Sequence, residues 1–269
     1  MRHFLLLGFL VVFSVFLAAG SHGEMATSAE LRIQLKQSSK QPEKQNKPPV
    51  LIELYTAERC PSCPPADKNL AFFEKEQPFQ QAEIITLSLH VDYSNFDTRK
   101  DKFSSPIFSR RQDIYAQKFR IGSIFTPQMV VDGEFQFAGG NLEKAQKAII
   151  EAAKMQKAKI EIVRAEDKFN IKISELPKHE NTTVFLAIAE DGLASNIFGA
   201  ENTIERREYT SVLRELKSLG MLGAQQNNLE IEAIMQYQPN WKKENLKLIV
   251  FVQENLSRKI LGVSRINLS

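Results

Sequence analysis

Cysteine is nearly absent: the 269 residues hold only two, Cys60 and Cys63. Two are too few for a small disulfide-stapled scaffold or for an all-cysteine metal site such as a zinc ribbon. Neither charge sign is in large excess, since 35 Lys and Arg stand against 32 Asp and Glu. With a pI near 8.7, that balance is too mild to point to nucleic-acid binding. Internal repeats are absent. The one long apolar run, residues 4–19, is shorter than the ~20 residues a membrane-spanning helix wants. What is present is a chain with 43% hydrophobic and 25% charged residues, ordinary for a globular protein and too apolar for wholesale disorder. At ~150 residues per domain, its length predicts two domains.

Met1-Arg2-His3, the apolar run and Gly20-Ser21 together have the build of a secretory signal peptide. Ala18 and Gly20 supply the small positions before a cleavage at Ser21. Residues 1–20 are therefore read as a signal peptide and the chain as secreted or periplasmic, with no stable membrane span after cleavage. Ser21 stands where a lipoprotein would need its lipidated cysteine, so no lipidation is expected. Residues 21–48 are polar and without periodicity, and read as a flexible tether. Export also changes the cysteines, because in an oxidising compartment a pair can rest as a disulfide.

From residue 49 the pattern becomes regular. Val50-Leu51-Ile52-Glu53-Leu54-Tyr55 reads as a buried strand. After Cys60-Pro61-Ser62-Cys63, Pro64 and Pro65 fit only the first turn of a helix, and Ala66, Leu70 and Phe73 follow at helical spacing. The pair thus sits at a strand-to-helix junction, with Cys60 expected near the N-cap. Residues 84–91 read as a second strand, parallel to the first. A helix follows over 107–119, with Arg110, Arg111 and Lys118 read as a solvated face. Residues 127–131 form a strand, Asp132-Gly133 a hairpin turn, and Gly139-Gly140-Asn141 the start of a last helix. Beyond residue 157 short strands separated by turns dominate, with a helical insert expected over 206–219. The expected architecture is an α/β thioredoxin-like domain over 49–157 followed by an antiparallel β-sandwich domain over 158–269.

A Cys-x-x-Cys pair at a helix start carries its own chemistry. The positive end of the helix and its unpaired N–H groups favour a thiolate at Cys60, while Cys63 is placed to resolve a mixed disulfide. Glu53, an acid in a strand read as buried, is a candidate for proton transfer to the pair or else a paired structural carboxylate. Two thiolates with His90 as third ligand would also suit a soft ion such as copper(I). Asp67 fits the helix N-terminal turn, and Asp92-Tyr93 lie on a loop after a strand end, where sites are common.

The segment from Ile52 to Cys63 resembles a glutaredoxin active-site strand and loop, and Thr126-Pro127-Gln128-Met129-Val130-Val131-Asp132-Gly133 with Gly139-Gly140 resembles the cis-proline strand and glutathione-binding turn of that family. A broader similarity covers roughly 49–265. Glu53-Leu54-Tyr55-Thr56, Cys60 through Asp67, His90-Val91-Asp92-Tyr93, Arg111-Gln112, Tyr115, Thr126 through Val131 and Gly199-Ala200-Glu201-Asn202 resemble secreted thioredoxin-like proteins of unknown function (domain of unknown function 1223). Pro61 and Ser94 depart from that family's usual small residue and aromatic. The resemblance implies that Pro127 is cis and packs against the disulfide, with Thr126 presenting backbone to a peptide or glutathione. Tyr55, in the same active-site strand, is a second substrate-binding candidate.

The leading expectation is an exported thiol–disulfide oxidoreductase with catalytic Cys60, Cys63 and Pro127. It would need no cofactor beyond its redox-active disulfide. Protein thiols and disulfides or glutathione would be its substrates, and a redox partner protein would recharge it. The alternatives are a periplasmic copper or soft-metal module using Cys60, Cys63 and His90, and a non-catalytic interaction protein with an inert bridge.

Overall fold

Strand β1 (Pro49–Thr56) is buried over all but its first residue, so both faces must be covered. The computed structural model describes residues 47–95, 100–198 and 204–269. The expected signal peptide, nearly all of the expected tether and the Gly199-to-Asn202 motif lie outside them. After β1 come α1 (Pro64–Glu76), β2 (Glu83–His90), α2 (Pro106–Phe119), β3 (Gln128–Val131), β4 (Phe135–Ala138) and α3 (Leu142–Ala152). Val50, Ile52 and Leu54 pack against Leu70 and Phe73 of α1 and Ala145 and Ile149 of α3. Leu51 and Tyr55 face the other way, toward Phe108 and Tyr115 of α2. The alternation of one strand thus feeds two helix layers.

Capping matches the sequence closely. Ser105 accepts from Ile107 N–H at the start of α2, and Asn141 accepts from Lys144 N–H at the start of α3. The β3–β4 turn has Asp132 at φ 49° and Gly133 at φ 67°, the paired positive dihedrals of a type I′ hairpin. Asp132 is more than a turn residue: its Oδ1 accepts from Leu51 N–H at 2.9 Å and its carboxylate pairs with Lys157.

The remaining strands are β5 (Lys159–Ala165), β6 (Lys168–Ser174), β7 (Thr182–Glu190), β8 (Leu193–Phe198), β9 (Ile204–Tyr209), β10 (Val212–Leu222), β11 (Leu229–Ile234), β12 (Leu246–Glu254) and β13 (Ile260–Asn267). Residues 49–157 and 158–269, expected as two domains, share one eight-stranded mixed sheet in the order β13-β12-β7-β10-β2-β1-β3-β4. The joint is the parallel contact of β10 with β2, where Val212 pairs with Ser88 and Ser88 N–H donates to Ser211 O at 2.8 Å. Apolar residues of both halves, from Leu51 to Val263, form a single core beneath α2. In place of a separate sandwich domain, the three-stranded antiparallel sheet β11-β6-β5 packs on β7 and β12 through Phe169, Ile171, Ile173, Leu186, Leu248 and Val250.

The helix expected over 206–219 is instead β9 and β10. Two bulges in β10, after Leu213 and after Ser218, explain the misleading spacing. The first lets Leu213 and Leu216 face the same core while three residues apart, opposite Ala189 and Ala187. An extra residue in a strand thus imitates helical periodicity.

A methyl group on Gly133 would meet Arg258 O at 1.9 Å, on a residue already at φ 67°. Gly133→Ala is expected to cost about 2–4 kcal/mol. Gly122→Ala, whose added carbon meets nothing within 4 Å, is the control, and urea unfolding of both variants is the measurement.

Candidate functional site

The loop from β1 into α1 is built from two successive turns. Cys60 N–H donates to Ala57 O at 3.2 Å and Cys63 N–H to Cys60 O at 3.3 Å. Cys63, rather than Cys60, is the N-cap, because Pro64 and Pro65 fill the first helical positions. Neither proline has an N–H to offer an earlier capping residue. The two cysteines form a disulfide with Cα atoms 5.3 Å apart. Cys63 is fully buried, whereas Cys60 keeps 7% of its surface. Pro61 and Ser62 between them are exposed, and Ser62 Oγ lies 3.5 Å from Cys60 Sγ.

The Thr126–Pro127 bond is cis. Pro127 is carried to the first turn of α1 by Gly139, whose N–H donates to Pro127 O at 3.0 Å. A Cβ on Gly139 would fall 2.8 Å from Leu54, 2.9 Å from Ala66 and 3.5 Å from Pro127, so the close approach requires glycine. From the α2 side, Gln112 Nε2 donates to Phe125 O and to Gln128 Oε1 at 2.8 and 2.9 Å. Its Oε1 accepts from the hydroxyl of Tyr93 at 3.0 Å. Tyr93 is an exposed aromatic beside Thr126, and burial of its hydroxyl end pushes that group up to about 12. Tyr55, expected at the substrate surface, is instead wholly buried, edge-on to Tyr115.

Behind the loop lies a cluster of buried polar groups. His90 closes β2 opposite Thr56 of β1, with its ring held edge-on by Phe103 and Tyr209. His90 Nδ1 lies 2.7 Å from Asp101 Oδ2. Burial works against the charge on Asp101, but His90 and the N–H groups of Glu58 and Phe103 outweigh it and hold the carboxyl low. Asp67, on the first turn of α1, follows the opposite course. Burial pushes it up to about 6, against the pull of His90, Thr56 and Arg207. His90 Nε2 and Tyr209 Oη are sealed from solvent without a hydrogen-bond partner among the described residues, and Thr56 Oγ1 and Asp67 Oδ1 are sealed from solvent as well. Glu58, just before Cys60, is raised by burial and is held by Ser195 of β8, while its backbone oxygen accepts from Arg207 of β9 at 2.9 Å.

His90 is thus committed to Asp101, and among the described residues no three histidine, cysteine or acidic side chains converge in a metal-holding group. Glu53 is committed as well: Arg111 Nε meets its Oε1 at 2.5 Å, and Arg111 Nη2 and the Tyr115 hydroxyl meet its Oε2 at 3.0 and 2.6 Å. Arg111 also donates to Gln253 Oε1 at 3.0 Å and lies over the rings of Phe185 and Phe251. The solvated face expected for α2 therefore holds for Arg110 but not for Arg111. Asp101 had no local signal at all, because its meaning depends on a loop returning to the end of β2. For Asp67 the signal was available in its spacing, four residues after Cys63 and so on the same helix face.

Residues 51–253 match a family described as protein of unknown function (DUF1223). The chain belongs to that family. Among solved structures, a crystal structure of a protein from Agrobacterium tumefaciens is similar at a TM-score of 0.68 with 19% identity, covering 84% of this chain and 96% of that one. A domain of the outer membrane lipoprotein Omp28 from Porphyromonas gingivalis aligns at a TM-score of 0.23 with 12% identity, over 43% of this chain and 90% of that one. No curated protein matches. Among the described residues, no helix is long and apolar enough to cross a membrane.

Two outcomes follow from the buried acids. Arg111→Met leaves Glu53 charged without its partner and is expected to cost about 3–5 kcal/mol. The double variant Glu53→Gln, Arg111→Met should recover part of that loss in urea unfolding. Asp67 binds its proton more tightly folded than unfolded, so its contribution to stability falls as pH rises from about 4 to about 6. Asp67→Asn should remove that fall, and unfolding curves of both proteins across the window give the difference. Parallel profiles would mean an ordinary carboxyl.

Proposed function

We propose that this member of the DUF1223 family is an exported thiol–disulfide oxidoreductase whose first half is thioredoxin-like. The observation that carries the reading is the asymmetric disulfide at the entry to α1, where Cys60 keeps 7% of its surface and Cys63 none, with cis-Pro127 drawn toward the first turn of the same helix by Gly139. A three-residue spacing closes too small a loop for the bridge to constrain the unfolded chain strongly, which argues against a purely structural purpose.

In the oxidising direction a substrate thiolate attacks Cys60 Sγ. The Cys60–Cys63 bond breaks, and Cys63 leaves as a thiolate that takes up a proton. A second substrate thiol then gives up its proton and attacks the substrate sulfur held by Cys60. The substrate leaves as a disulfide, and the protein is left as a dithiol, oxidised again by a redox partner protein. The reducing direction runs the same bonds backwards, with Cys60 attacking and Cys63 resolving. The helix N-terminus favours negative charge on sulfur throughout.

We assign the proton of Cys63 to Asp67 rather than to Glu53. Asp67 lies one turn beyond Cys63 on α1, its N–H donates to Cys63 O at 3.0 Å, and burial pushes its carboxyl up to about 6. Thr126 and Pro127 form the wall on which an extended peptide or glutathione would lie, with the exposed Tyr93 at its end. The β8–β9 hairpin, which grips Glu58 beside Cys60, would select among partners.

The test is trapping. Cys63→Ser should accumulate mixed disulfides through Cys60 on exposure to exported proteins or oxidised glutathione, and Cys60→Ser should accumulate none. Resolution of mass-tagged adducts on non-reducing gels reads the result. If the Cys63→Ser protein stays free of adducts while Cys60 remains alkylatable, the oxidoreductase reading fails.

A further inference from the structure

On the other face of the sheet, α2 leaves a cavity of about 290 Å³ between itself and strands β7, β10 and β12. Its walls are Ile107 and Ile114 of α2, Phe185 of β7 and Leu216 of β10. Ile107 and Ile114 are 47% and 38% exposed, large apolar side chains turned partly to solvent at the cavity mouth. The floor is the Arg111 guanidinium, already neutralised by Glu53. Two further arginines line the space: Arg110, one position along α2, and Arg258, in the turn between β12 and β13.

Arg111 needs no further partner, but the other two differ. Among the described residues no carboxylate is paired with Arg110 or with Arg258. Arg258 is half-buried, and both burial and the nearby Arg111 charge disfavour its charged form, against the Tyr115 hydroxyl. A partly desolvated guanidinium without a counter-charge is unfavourable by itself, and an anion beside it relieves it. A small inorganic anion would leave four apolar side chains wetted, and an uncharged apolar molecule would leave the guanidinium without a partner. The volume lies just below the ~300–1,000 Å³ typical of pockets for drug-sized ligands, which suits a small ligand.

We propose that this cavity binds a short amphipathic carboxylate, its chain or ring against Ile107, Ile114, Phe185 and Leu216 and its carboxylate on Arg258 and Arg110. The site does not rest on the thiol chemistry, since it uses neither Cys60 nor Pro127. Arginine suits the task because its planar fork matches a carboxylate and its face packs on apolar surface.

Calorimetric titration of the oxidised full chain with octanoate, 1-octanol and octyltrimethylammonium tests the assignment. Octanoate should bind saturably at one site per chain, with the alcohol at least about tenfold weaker and the cation not detected. Arg258→Asn, chosen because asparagine tolerates the positive φ of 63° at that position, should weaken octanoate about tenfold or more. Arg110→Ala, a change on the exposed side of α2, gives a second measure that does not depend on the β12–β13 turn. Circular dichroism confirms that both variants fold. Equal affinity for octanoate and octanol, absence of saturable binding, or unchanged affinity in both variants would overturn the proposal. Octanoate affinity that falls with protein concentration would also overturn it, since a second copy of the chain would then be the occupant.

Discussion

The architecture depends on how a very short backbone joint is kept rigid. Only Val212 and Ser88 pair where β10 meets β2, yet the eight-stranded sheet continues through that point. Charged clusters on both faces bridge it. On one face, Glu74 of α1 takes Lys247 of β12 at 2.6 Å together with Arg265 of β13, and Thr86 and Ser211 complete the hydrogen bonds. On the other face, Glu53 of β1 takes Arg111 of α2, which reaches Gln253 of β12 and the rings of β7 and β12. Buried ion pairs add little to stability compared with apolar packing, but they tolerate few alternative geometries. Their value at this joint is that both clusters must be assembled in one register.

That rigidity reaches the cysteine loop. α1 carries Cys63 at its start and Glu74 near its end, so the helix that presents the disulfide is anchored to the strands of the second half. The β8–β9 hairpin adds a direct grip on Glu58. An opening of the loop would have to break these contacts or stay confined to the few residues between Ala57 and Cys63. The second half of the chain is thus part of the scaffold that positions the site.

The first half was legible because its signals are local. Pro64-Pro65 marks a helix start, Asp132-Gly133 marks a hairpin, short apolar runs locate β1 and β2, and helical spacing locates α1 and α3. The cis bond at Thr126–Pro127 was reached through family resemblance, as nothing in those two residues alone requires it. The second half failed where signals are non-local. Bulges in β10 shifted its apolar residues to a spacing that resembles a helix, and the union of the halves rests on one pairing that leaves no composition signature. Arg111 was misread for the same reason. Its neighbours in sequence are polar, and only the arrival of Phe185, Phe251 and Gln253, more than seventy residues away, buries it.

The two acids near the cysteines show why a role cannot be taken from burial alone. A carboxylate works as a proton acceptor when its charged and neutral forms are close in free energy at the working pH. Both oxygens of Glu53 are occupied, by the Arg111 guanidinium and the Tyr115 hydroxyl. Asp67 differs, because burial disfavours its charge and no guanidinium or ammonium forms a salt bridge with it among the described residues. The proposed proton role therefore falls to the acid left without a strong partner. The fully paired one, Glu53, holds α2 against the sheet, and so keeps in place the Gln112 contacts that position the Thr126–Pro127 segment.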